Sequence, residues 1–355
     1  MSAPSTILVT GGAGFIGSHL CTELLDHGYE LIVVDNYSNS APQVFSRVER
    51  LAGRFAGAVY ELDIRDRRAL SAVFDRHAVD AVVHLAAHKA AEGSAHMPLE
   101  FYETNVGGTT TLLRTMHEHG VHQLVFSSTC SVYGNAGRGP LDETAPVRPA
   151  HPYAASKAAC EQLLADVCRR RPEYSVVCLR YVDQAGAHPS GLLGTDPRSA
   201  PGHLIPRLAE VAAGRQERLQ VFGSDHPTAD GTAIRDYLHV MDTVEAHRVA
   251  LDRLDDTPGM RVFNLGSGRG SSVLEAVAAF SEACGKPIPY DVTPRRLCDA
   301  AELVADATAV RRAWGWHPTR DLTDICRDTW RFQQLNPDGY ENSARRPRHE
   351  VALPY

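Results

Sequence analysis

A short apolar segment followed at once by a glycine-rich turn constrains the fold of this chain more than any other feature. Residues 7–10 have the pattern of a buried strand, and glycines follow at positions 11, 14 and 17. From Ser18 onwards, leucines recur at helical spacing. The glycines let the backbone turn tightly and approach a pyrophosphate, which amide groups at the helix N-terminus can bind. The sequence therefore predicts a dinucleotide-binding strand, turn and helix.

An acidic residue at the end of the next predicted strand indicates which dinucleotide is bound. The segment 31–34 is apolar and ends in Asp35, about 20 residues downstream, where the dinucleotide fingerprint places an acid that binds ribose. A carboxylate there accepts hydrogen bonds from a free 2′-hydroxyl and repels a 2′-phosphate. We therefore expect NAD rather than NADP.

The order of the remaining segments indicates the fold class. Up to about residue 180, predicted strands at 59–62, 81–87 and 123–126 alternate with predicted helices, one of them over 102–119. This alternation is typical of an α/β protein with a Rossmann-like doubly wound parallel sheet. We expect an NAD-binding domain over residues 1–181, a smaller α/β C-terminal substrate lobe over 182–335 that is interleaved with it, and a surface tail over 336–355.

Beyond residue 182 the pattern is looser. Helices are predicted near 208–214, 273–284 and 322–334, and residues 222–237 are expected to form loops around Arg235. The proline- and glycine-rich segment 189–206 is expected to be a loop that covers the substrate.

Charge and cysteine usage exclude several classes of partner. The net charge is −7 with no basic tract outside the tail, which argues against a nucleic-acid partner. The eight cysteines are scattered, without CxxC pairs or metal-ligand spacing, so we expect reduced thiols and no metal site. No apolar segment is long enough to span a membrane, and the N-terminus runs directly into the first strand. A cytoplasmic protein with no membrane partner is expected.

A tyrosine and a lysine four residues apart predict the catalytic group. Tyr153 and Lys157 lie on one face of a predicted helix. An ammonium near a phenol favours the phenolate, so Lys157 is expected to lower the pKa of Tyr153 and make it a usable base. The preceding predicted strand ends in Ser127-Ser128-Thr129, which adds hydroxyl groups to this site.

Together these motifs resemble the extended short-chain dehydrogenase/reductase family (NAD-dependent epimerases and dehydratases), and within it the UDP-galactose (UDP-glucose) 4-epimerases. The resemblance covers almost the whole chain. The segments that carry it are TGGAGFIGSH, VVDNYSNS, LDIRD, PLEFYETNVGGT, FSST, PYAASK, LRY with GAHPSG, FGSDHPTADGTAIRDYLHVMD, VFNLGSG and CRDTWRFQQLNPDGY.

The resemblance implies NAD that is reduced and reoxidised within one turnover, and a homodimer. By position, Tyr153 would be the base, Lys157 would hold the nicotinamide ribose, and Thr129 would bind the reacting oxygen. The residues that would line the cofactor are Gly11, Gly14, Phe15, Ile16, Gly17, Asp35, Asn36, Ser38, Asn39, Ser40, Asp63, Ile64, Leu85, Ala86, Ala87, Lys89, Asn105, Tyr153, Lys157 and Tyr181. Those that would bind the substrate are Asp183, His203, Leu204, Arg235, Arg296 and Asp299.

Four positions in the substrate site depart from the family pattern. Asp183 and His203 each replace an asparagine, Glu92 is a carboxylate shifted by one residue, and Cys298 replaces a glycine. A carboxylate near a diphosphate repels it by about 1 kcal/mol or more. Either Asp183 is protonated or paired, or the ligand lacks a diphosphate, or the changes are neutral drift.

These observations predict an NAD-dependent epimerase of a nucleotide sugar, which acts through a transient keto intermediate and a returned hydride. The alternative is an NAD-dependent dehydratase, which uses the same oxidation to eliminate water from a nucleoside or modified nucleotide sugar of a specialised, antibiotic-type pathway. In that case Glu92 would be the extra base and Cys130 a proton donor. A non-catalytic NAD-binding regulator is a third reading, and the presence of Tyr153 and Lys157 argues against it.

Overall fold

The computed structural model describes residues 6–54, 57–89, 94–135, 137, 139–196, 202–256, 258–296 and 300–340, and the backbone of residues 91–93. The strands are β1 (Thr6–Thr10), β2 (Glu30–Asp35), β3 (Ala58–Glu61), β4 (Ala81–His84), β5 (Gln123–Thr129), β6 (Pro140–Leu141), β7 (Ser175–Tyr181), β8 (Asp183–Ala185), β9 (Leu219–Phe222), β10 (Ile234–His239), β11 (Gly259–Leu265), β12 (Gly270–Ser272), β13 (Tyr290–Thr293) and β14 (Glu302–Ala305).

Twelve α-helices lie within the described residues. They are α1 (Phe15–Asp26), α2 (Val44–Ala52), α3 (Arg67–Arg76), α4 (Ala91–His96), α5 (Pro98–Tyr102), α6 (Gly108–Glu118), α7 (Pro152–Arg170), α8 (Leu204–Ala212), α9 (Val240–Asp252), α10 (Val273–Cys284), α11 (Thr308–Trp314) and α12 (Leu322–Leu335). A π-helical turn (Glu103–Gly107) joins α5 to α6, and short 3₁₀ turns follow β5 (Cys130–Tyr133) and α9 (Leu254–Asp256).

A seven-stranded sheet forms the centre of the molecule, in the order β11-β7-β5-β4-β1-β2-β3. Every neighbouring pair in it is parallel. Ile7 and Val9 pack into the apolar layer on one face of the sheet, and Leu8 packs into the layer on the other. Because helices cover both faces, the strands are apolar on both sides. The predicted Rossmann-like doubly wound fold is confirmed.

A smaller layer faces the carboxyl ends of the large sheet. Its β12, β10, β14 and β6 pair in that order, β8 pairs with β10, and β9 and β13 form a separate parallel pair. Helices α8, α10 and α12 pack on one another there around Leu208, Phe280 and Ile325. Residues after 181 also return to the large sheet, because β11 pairs with β7 along its whole length. The domain boundary at residue 181 stays a prediction.

Several element boundaries differ from the predicted ones. Helix α1 begins at Phe15 rather than Ser18, because Gly14 is its extended N-cap residue. Strand β5 continues to Thr129, since its polar end pairs with β7 in register, Thr129 opposite Tyr181. Strand β4 ends at His84, three residues early. Arg235 lies on β10, where a loop was predicted, because this segment pairs with both β12 and β14.

The start of the predicted surface tail is packed against the fold. Asn336 and Tyr340 are both buried. Arg47 donates a hydrogen bond to the Asn336 side chain, and the Tyr340 hydroxyl donates to the Gly194 carbonyl at 2.7 Å. The tail prediction is therefore wrong for residues 336–340, and residues 341–355 lie outside the described part of the chain. Among the described residues, no helix combines the length and apolar character needed to cross a membrane.

Candidate active site

One large cleft lies between the carboxyl ends of the seven-stranded sheet and the smaller layer. Its volume is about 1700 Å³, whereas pockets for single small molecules are usually about 300–1000 Å³. Ligands of doubly wound proteins bind at this edge of the sheet. The cleft is therefore large enough for a dinucleotide together with a second ligand.

The glycine turn brings backbone, without side chains, to the floor of the cleft. Gly11 has a φ of +72°, and a Cβ atom there would lie 2.7 Å from the Ala86 nitrogen. A Cβ atom on Gly17 would lie 2.1 Å from the Gly11 carbonyl oxygen. Any side chain at either position collides with backbone that cannot move aside. The turn thus packs against the end of β4 and leaves the N-terminus of α1 open to the cleft, as a pyrophosphate requires.

Asp35, at the end of β2, is buried, and its hydrogen bonds fix the adjoining part of the cleft wall. Its carboxylate accepts hydrogen bonds from the backbone of Ala13 at 2.9 Å and Tyr37 at 2.8 Å, and from the Ser40 hydroxyl at 3.0 Å. Tyr37 has a positive φ of 52°, which the bond to Asp35 stabilises. A carboxylate with these neighbours is a pure acceptor that faces the cleft, and this matches the 2′-hydroxyl of NAD.

A second acid lies further along the same wall. Asp63 accepts a hydrogen bond from Asn36 at 3.1 Å and forms an ion pair with Arg65 at 2.8 Å. Hydrogen bonds from Arg65 lower the pKa of Asp63 to about 2. Asp63 is therefore ionised at every physiological pH and offers an acceptor beside the buried side chain of Ile64.

Tyr153 and Lys157 occupy successive turns of α7, as predicted. His151 caps this helix by accepting a hydrogen bond from the Ala154 nitrogen, and its ring stacks on Tyr153 at 6.0 Å with 5° between the planes. The Thr129 hydroxyl hydrogen-bonds Tyr153. Lys157 is buried and donates to the Ser127 carbonyl at 2.8 Å. Strand β5 and helix α7 thus place the predicted catalytic groups together.

The pKa of Tyr153 shifts in the direction opposite to the prediction. Loss of hydration in the cleft raises it to about 12; the Thr129 hydrogen bond acts to lower it, and the charge of Asp183 acts to raise it. Burial also lowers the pKa of Lys157 to about 8. The predicted lowering by Lys157 is wrong for the protein alone, because loss of hydration is the largest influence on the Tyr153 pKa and Lys157 is not among the groups that act on it. A further positive charge is needed for Tyr153 to act as a base near neutral pH.

The opposite wall carries charged side chains. Asp183 lies on β8, His203 precedes α8, and Arg235 lies on β10. The guanidinium of Arg296 lies over the Phe222 ring at 3.8 Å.

Charges of both signs surround His203. Loss of hydration lowers the pKa of His203, Asp183 acts to raise it, and Lys89, Arg207 and Arg296 act to lower it. Asp183 is therefore one acid among several cations.

The structure brings most of the predicted residues to this one cleft. Those that line it are Gly11, Gly14, Phe15, Ile16, Gly17, Asp35, Asn36, Ser38, Asn39, Ser40, Asp63, Ile64, Leu85, Ala86, Ala87, Lys89, Thr129, Tyr153, Lys157, Tyr181, Asp183, His203, Leu204, Arg235 and Arg296. Asp299, Cys298 and the side chain of Glu92 lie outside the described residues.

Two predicted site residues lie behind the cleft wall instead. Asn105 bonds the backbone nitrogen of His88 at 2.8 Å and the Ser156 hydroxyl at 2.9 Å, so it fixes the loop after β4 and does not line the cofactor site. Cys130 is buried, and its thiol donates to the Arg180 carbonyl at 3.3 Å. Burial raises its pKa well above the usual thiol value, and the predicted role as proton donor is not supported.

Sequence reasoning missed two residues that shape the site. His151 stacks on the base, and its position directly before Pro152 is a signal, since helices often begin with a cap residue followed by proline. Phe222 on β9 lies under Arg296, which belongs to the loop after β13, and no local pattern indicates that contact.

Comparisons with known proteins agree with this geometry. Residues 7–266 match the NAD dependent epimerase/dehydratase family. UDP-glucose 4-epimerase of Yersinia pestis is 45% identical over 94% of this chain and 99% of its own length. The enzyme of that name from Bacillus subtilis (strain 168) is 44% identical over 95% and 99%.

Two solved structures are similar to this chain over most of its length. UDP-glucose 4-epimerase from Bifidobacterium longum, in complex with NAD+ and UDP, superposes with a TM-score of 0.91 at 42% identity and covers 94% of this chain and 99% of its own. The protein from Stenotrophomonas maltophila, with bound NAD and formylated UDP-arabinopyranose, also has a TM-score of 0.91, at 43% identity and the same coverage.

Proposed function

Because this chain belongs to the NAD dependent epimerase/dehydratase family, we propose that it interconverts UDP-glucose and UDP-galactose by inverting C4 of the hexose. The observation that carries the proposal is the position of Tyr153. Tyr153 lines the cleft together with the glycine turn and with Arg235 and Arg296, and both Thr129 at the end of β5 and Asp183 on β8 act on its phenol. A sugar attached to a diphosphate on the cationic wall would present a hydroxyl to this phenol.

The residues of the first half fit NAD. The turn at Gly11 and Gly17 has no room for a Cβ atom, and Asp35 offers an acceptor for a ribose hydroxyl. When bound, NAD supplies a hydride acceptor and, once reduced, a hydride donor. Inversion follows when the ketone presents its other face before the hydride returns.

The side chains of this chain move and hold the proton. The Tyr153 oxygen takes the proton of the sugar hydroxyl, and the Thr129 hydroxyl keeps that oxygen aimed at the substrate. Because the pKa of Tyr153 is about 12 without ligands, the positive charge of oxidised nicotinamide would have to favour the phenolate. Proton removal is then coupled to the presence of the oxidised cofactor.

The charged wall supports a nucleoside diphosphate. Arginine donates two parallel hydrogen bonds that match a phosphate group, and Arg235 and Arg296 both line the cleft. Lys89 and Arg207 add positive charge around His203. These cations offset the carboxylate of Asp183, so a diphosphate can bind despite that acid.

Dehydration is the less favoured reaction. It requires an additional acid or base near the sugar, and Cys130 is buried behind the wall with a raised pKa. The similar proteins described above are all named as epimerases.

The reaction is tested by incubating the purified protein with UDP-glucose in D₂O and separating the products by chromatography with mass detection. The expected product has the mass and retention of UDP-galactose and carries no deuterium on carbon, because the hydride passes from the sugar carbon to the cofactor and back without exchanging with solvent. Loss of one water would overturn the assignment in favour of dehydration, and deuterium on a carbon without that loss would overturn direct return of the hydride. Free nucleosides and N-acetylated UDP-sugars in parallel reactions define the substrate range.

We also propose a homodimer formed through α5. Leu99 is 74% exposed, with Met97 and Tyr102 beside it at 50% and 42%. Helix α5 packs against α7, so a second copy that covers the patch would bury it next to the helix that carries Tyr153. Light scattering should give a dimer for the wild type and a monomer for Leu99→Asp, whereas Leu335→Asp, at another exposed leucine, should stay dimeric. A monomeric wild type would overturn the proposal.

We propose a cytoplasmic location because of the free cysteines. All seven that fall within the described residues carry free thiols, as in a reducing compartment. Cell fractionation tests this, and recovery from a secreted fraction would contradict it.

A further inference from the structure

A cluster of potential metal ligands lies at the edge of the sheet opposite the cleft. His117 is in the last turn of α6, His122 directly precedes β5, and Glu173 lies in the turn before β7. One ligand atom from each lies within 4.8 Å of the other two. The three residues come from three separate segments, so the fold itself assembles the cluster.

The backbone holds two of these segments together. The Ser175 nitrogen donates to the His122 carbonyl at 3.0 Å, and β5 continues alongside β7 from that point. The His122 ring also packs edge-on against Tyr174 at 4.9 Å. The backbone at His122 and Glu173 is therefore held in place before any ion binds, and His117 approaches with its ring centre 6.4 Å from that of His122.

The two imidazole rings are available as ligands. Among the described residues, no side chain or carbonyl hydrogen-bonds a ring nitrogen of His117 or His122. Glu173 has one ion pair, to Arg171 at 3.7 Å, and both groups are exposed. Exposed pairs of this kind contribute about 0–1 kcal/mol, so Arg171 competes only weakly for the carboxylate.

We propose that His117, His122 and Glu173 form a binding site for a zinc-type divalent transition-metal ion. Two imidazoles and one carboxylate form a common zinc ligand set, in which water takes the fourth position. Calcium and magnesium prefer sites made only of oxygen ligands. A tetrahedral zinc site places its ligand atoms roughly 3.3–3.5 Å apart, so the exposed His117 and Glu173 side chains would rotate inward from their present spacing of up to 4.8 Å when the ion binds.

The ion would join the α6–β5 turn to the α7–β7 turn. Thr129 lies seven residues along β5 from His122, or roughly 23 Å at the usual rise of a strand. The site is therefore remote from the reacting centre and independent of the proposed reaction. Its effect is on stability, because an ion that binds only the folded chain raises the unfolding temperature.

The test uses the full-length, NAD-loaded protein, freed of affinity tag and treated with a chelator, titrated with zinc chloride by calorimetry. We expect one tight site per chain and a higher unfolding temperature with zinc, but no effect of magnesium. His117→Ala, His122→Ala and Glu173→Gln should each weaken zinc binding about tenfold or more, while epimerase turnover stays at the wild-type value.

Two further variants distinguish this site from scattered surface histidines. His317→Ala removes an exposed histidine far along the chain and should leave zinc binding unchanged. Arg171→Ala removes the competing cation and should tighten zinc binding, by about fivefold at most. Wild-type zinc affinity in the three ligand variants, or weaker binding in Arg171→Ala, would overturn the proposal. Circular dichroism and NAD content confirm that each variant is folded.

Discussion

The half of the cleft beside the glycine turn and the half beside β8 and β10 offer a ligand different kinds of contact. The first is made largely of backbone: amides at the N-terminus of α1, a turn that excludes side chains, and Asp35 held by three hydrogen bonds. The second is made of charged side chains from separate segments, such as Asp183 and Arg235.

This difference explains why the cofactor-binding half can be recognised from sequence, whereas the substrate-binding half is easily altered by substitution. A cofactor held by backbone depends on chain geometry, which few sequences satisfy, so its motif is recognisable. A substrate held by side chains can be exchanged by single substitutions, as Asp183 and His203 illustrate. We therefore test whether substitutions in one half of the cleft leave ligand binding in the other half unchanged.

The largest effect is expected where the halves meet. Tyr153→Phe should lower kcat by about 10²–10⁴-fold, the usual contribution of a general base. Bound NAD should stay constant, because the ring still stacks on His151. Initial rates and NAD content per subunit measure both. Tyr290→Phe, at an exposed tyrosine on β13, is the control, and wild-type turnover in the Tyr153 variant would rule out the proposed base.

Gly17→Ala should weaken NAD binding in the half of the cleft beside the glycine turn. Its Cβ atom would lie 2.1 Å from the Gly11 oxygen, so the turn must shift, at a cost of about 1–3 kcal/mol. We expect most of the bound NAD to be lost, as seen by absorbance after denaturation. Gly107→Ala is the matched control, because its nearest neighbour is 4.0 Å away. Equal NAD content in the two variants would show that the turn is not the binding determinant.

Asp35→Asn should reduce NAD binding less than Gly17→Ala does. Hydrogen bonds to a charged group are worth about 1.5–3 kcal/mol, and the amide cannot accept from both Ala13 and Tyr37. NAD affinity should fall about tenfold, and the preference for NAD over NADP should shrink. Fluorescence titration with both cofactors measures this. Glu61→Gln, at the position paired with Asp35 on β3, should keep the wild-type preference. An unchanged preference in Asp35→Asn would contradict the ribose contact.

Asp183→Asn acts in the substrate half and also removes a charge that raises the pKa of Tyr153. Removing a carboxylate near the diphosphate should relieve about 1 kcal/mol of repulsion and lower KM for UDP-glucose roughly fivefold, with no change in NAD content. The exposed Asp291→Asn serves as the control. A higher KM would show instead that the Asp183 carboxylate accepts hydrogen bonds from the sugar.

The smallest effect concerns the pH dependence of stability. The pKa of Lys157 is about 8 in the fold, against 10.5 for a free lysine. Between these values the unfolded chain binds more protons, so the free energy of unfolding should rise with pH. Lys157→Met lacks this contribution. Urea unfolding of the cofactor-free proteins at pH 8 and pH 10 should give a steeper rise for the wild type, and parallel curves would contradict the lowered pKa.

Local patterns predicted the fold and most of the cofactor half, because the glycine turn, Asp35 and the Tyr153–Lys157 pair each depend on short stretches of chain. They failed where long-range contacts decide. Pairing with β7 extends β5 to Thr129, and burial rather than Lys157 sets the pKa of Tyr153. The family resemblance implied that Asn105 lines the cofactor, but its hydrogen bonds to His88 and Ser156 make it a support for the loop after β4.

The position of strand β11 affects how the chain folds during its synthesis. It completes the edge of the large sheet by pairing with β7, although more than 75 residues separate the two strands in the sequence. As the chain emerges from the ribosome, the six strands of the large sheet that precede β11 leave an exposed edge along β7, which can pair with other strands until residue 265 is available. A gene fragment that ends at residue 181 would therefore encode an aggregation-prone sheet rather than a free-standing cofactor module.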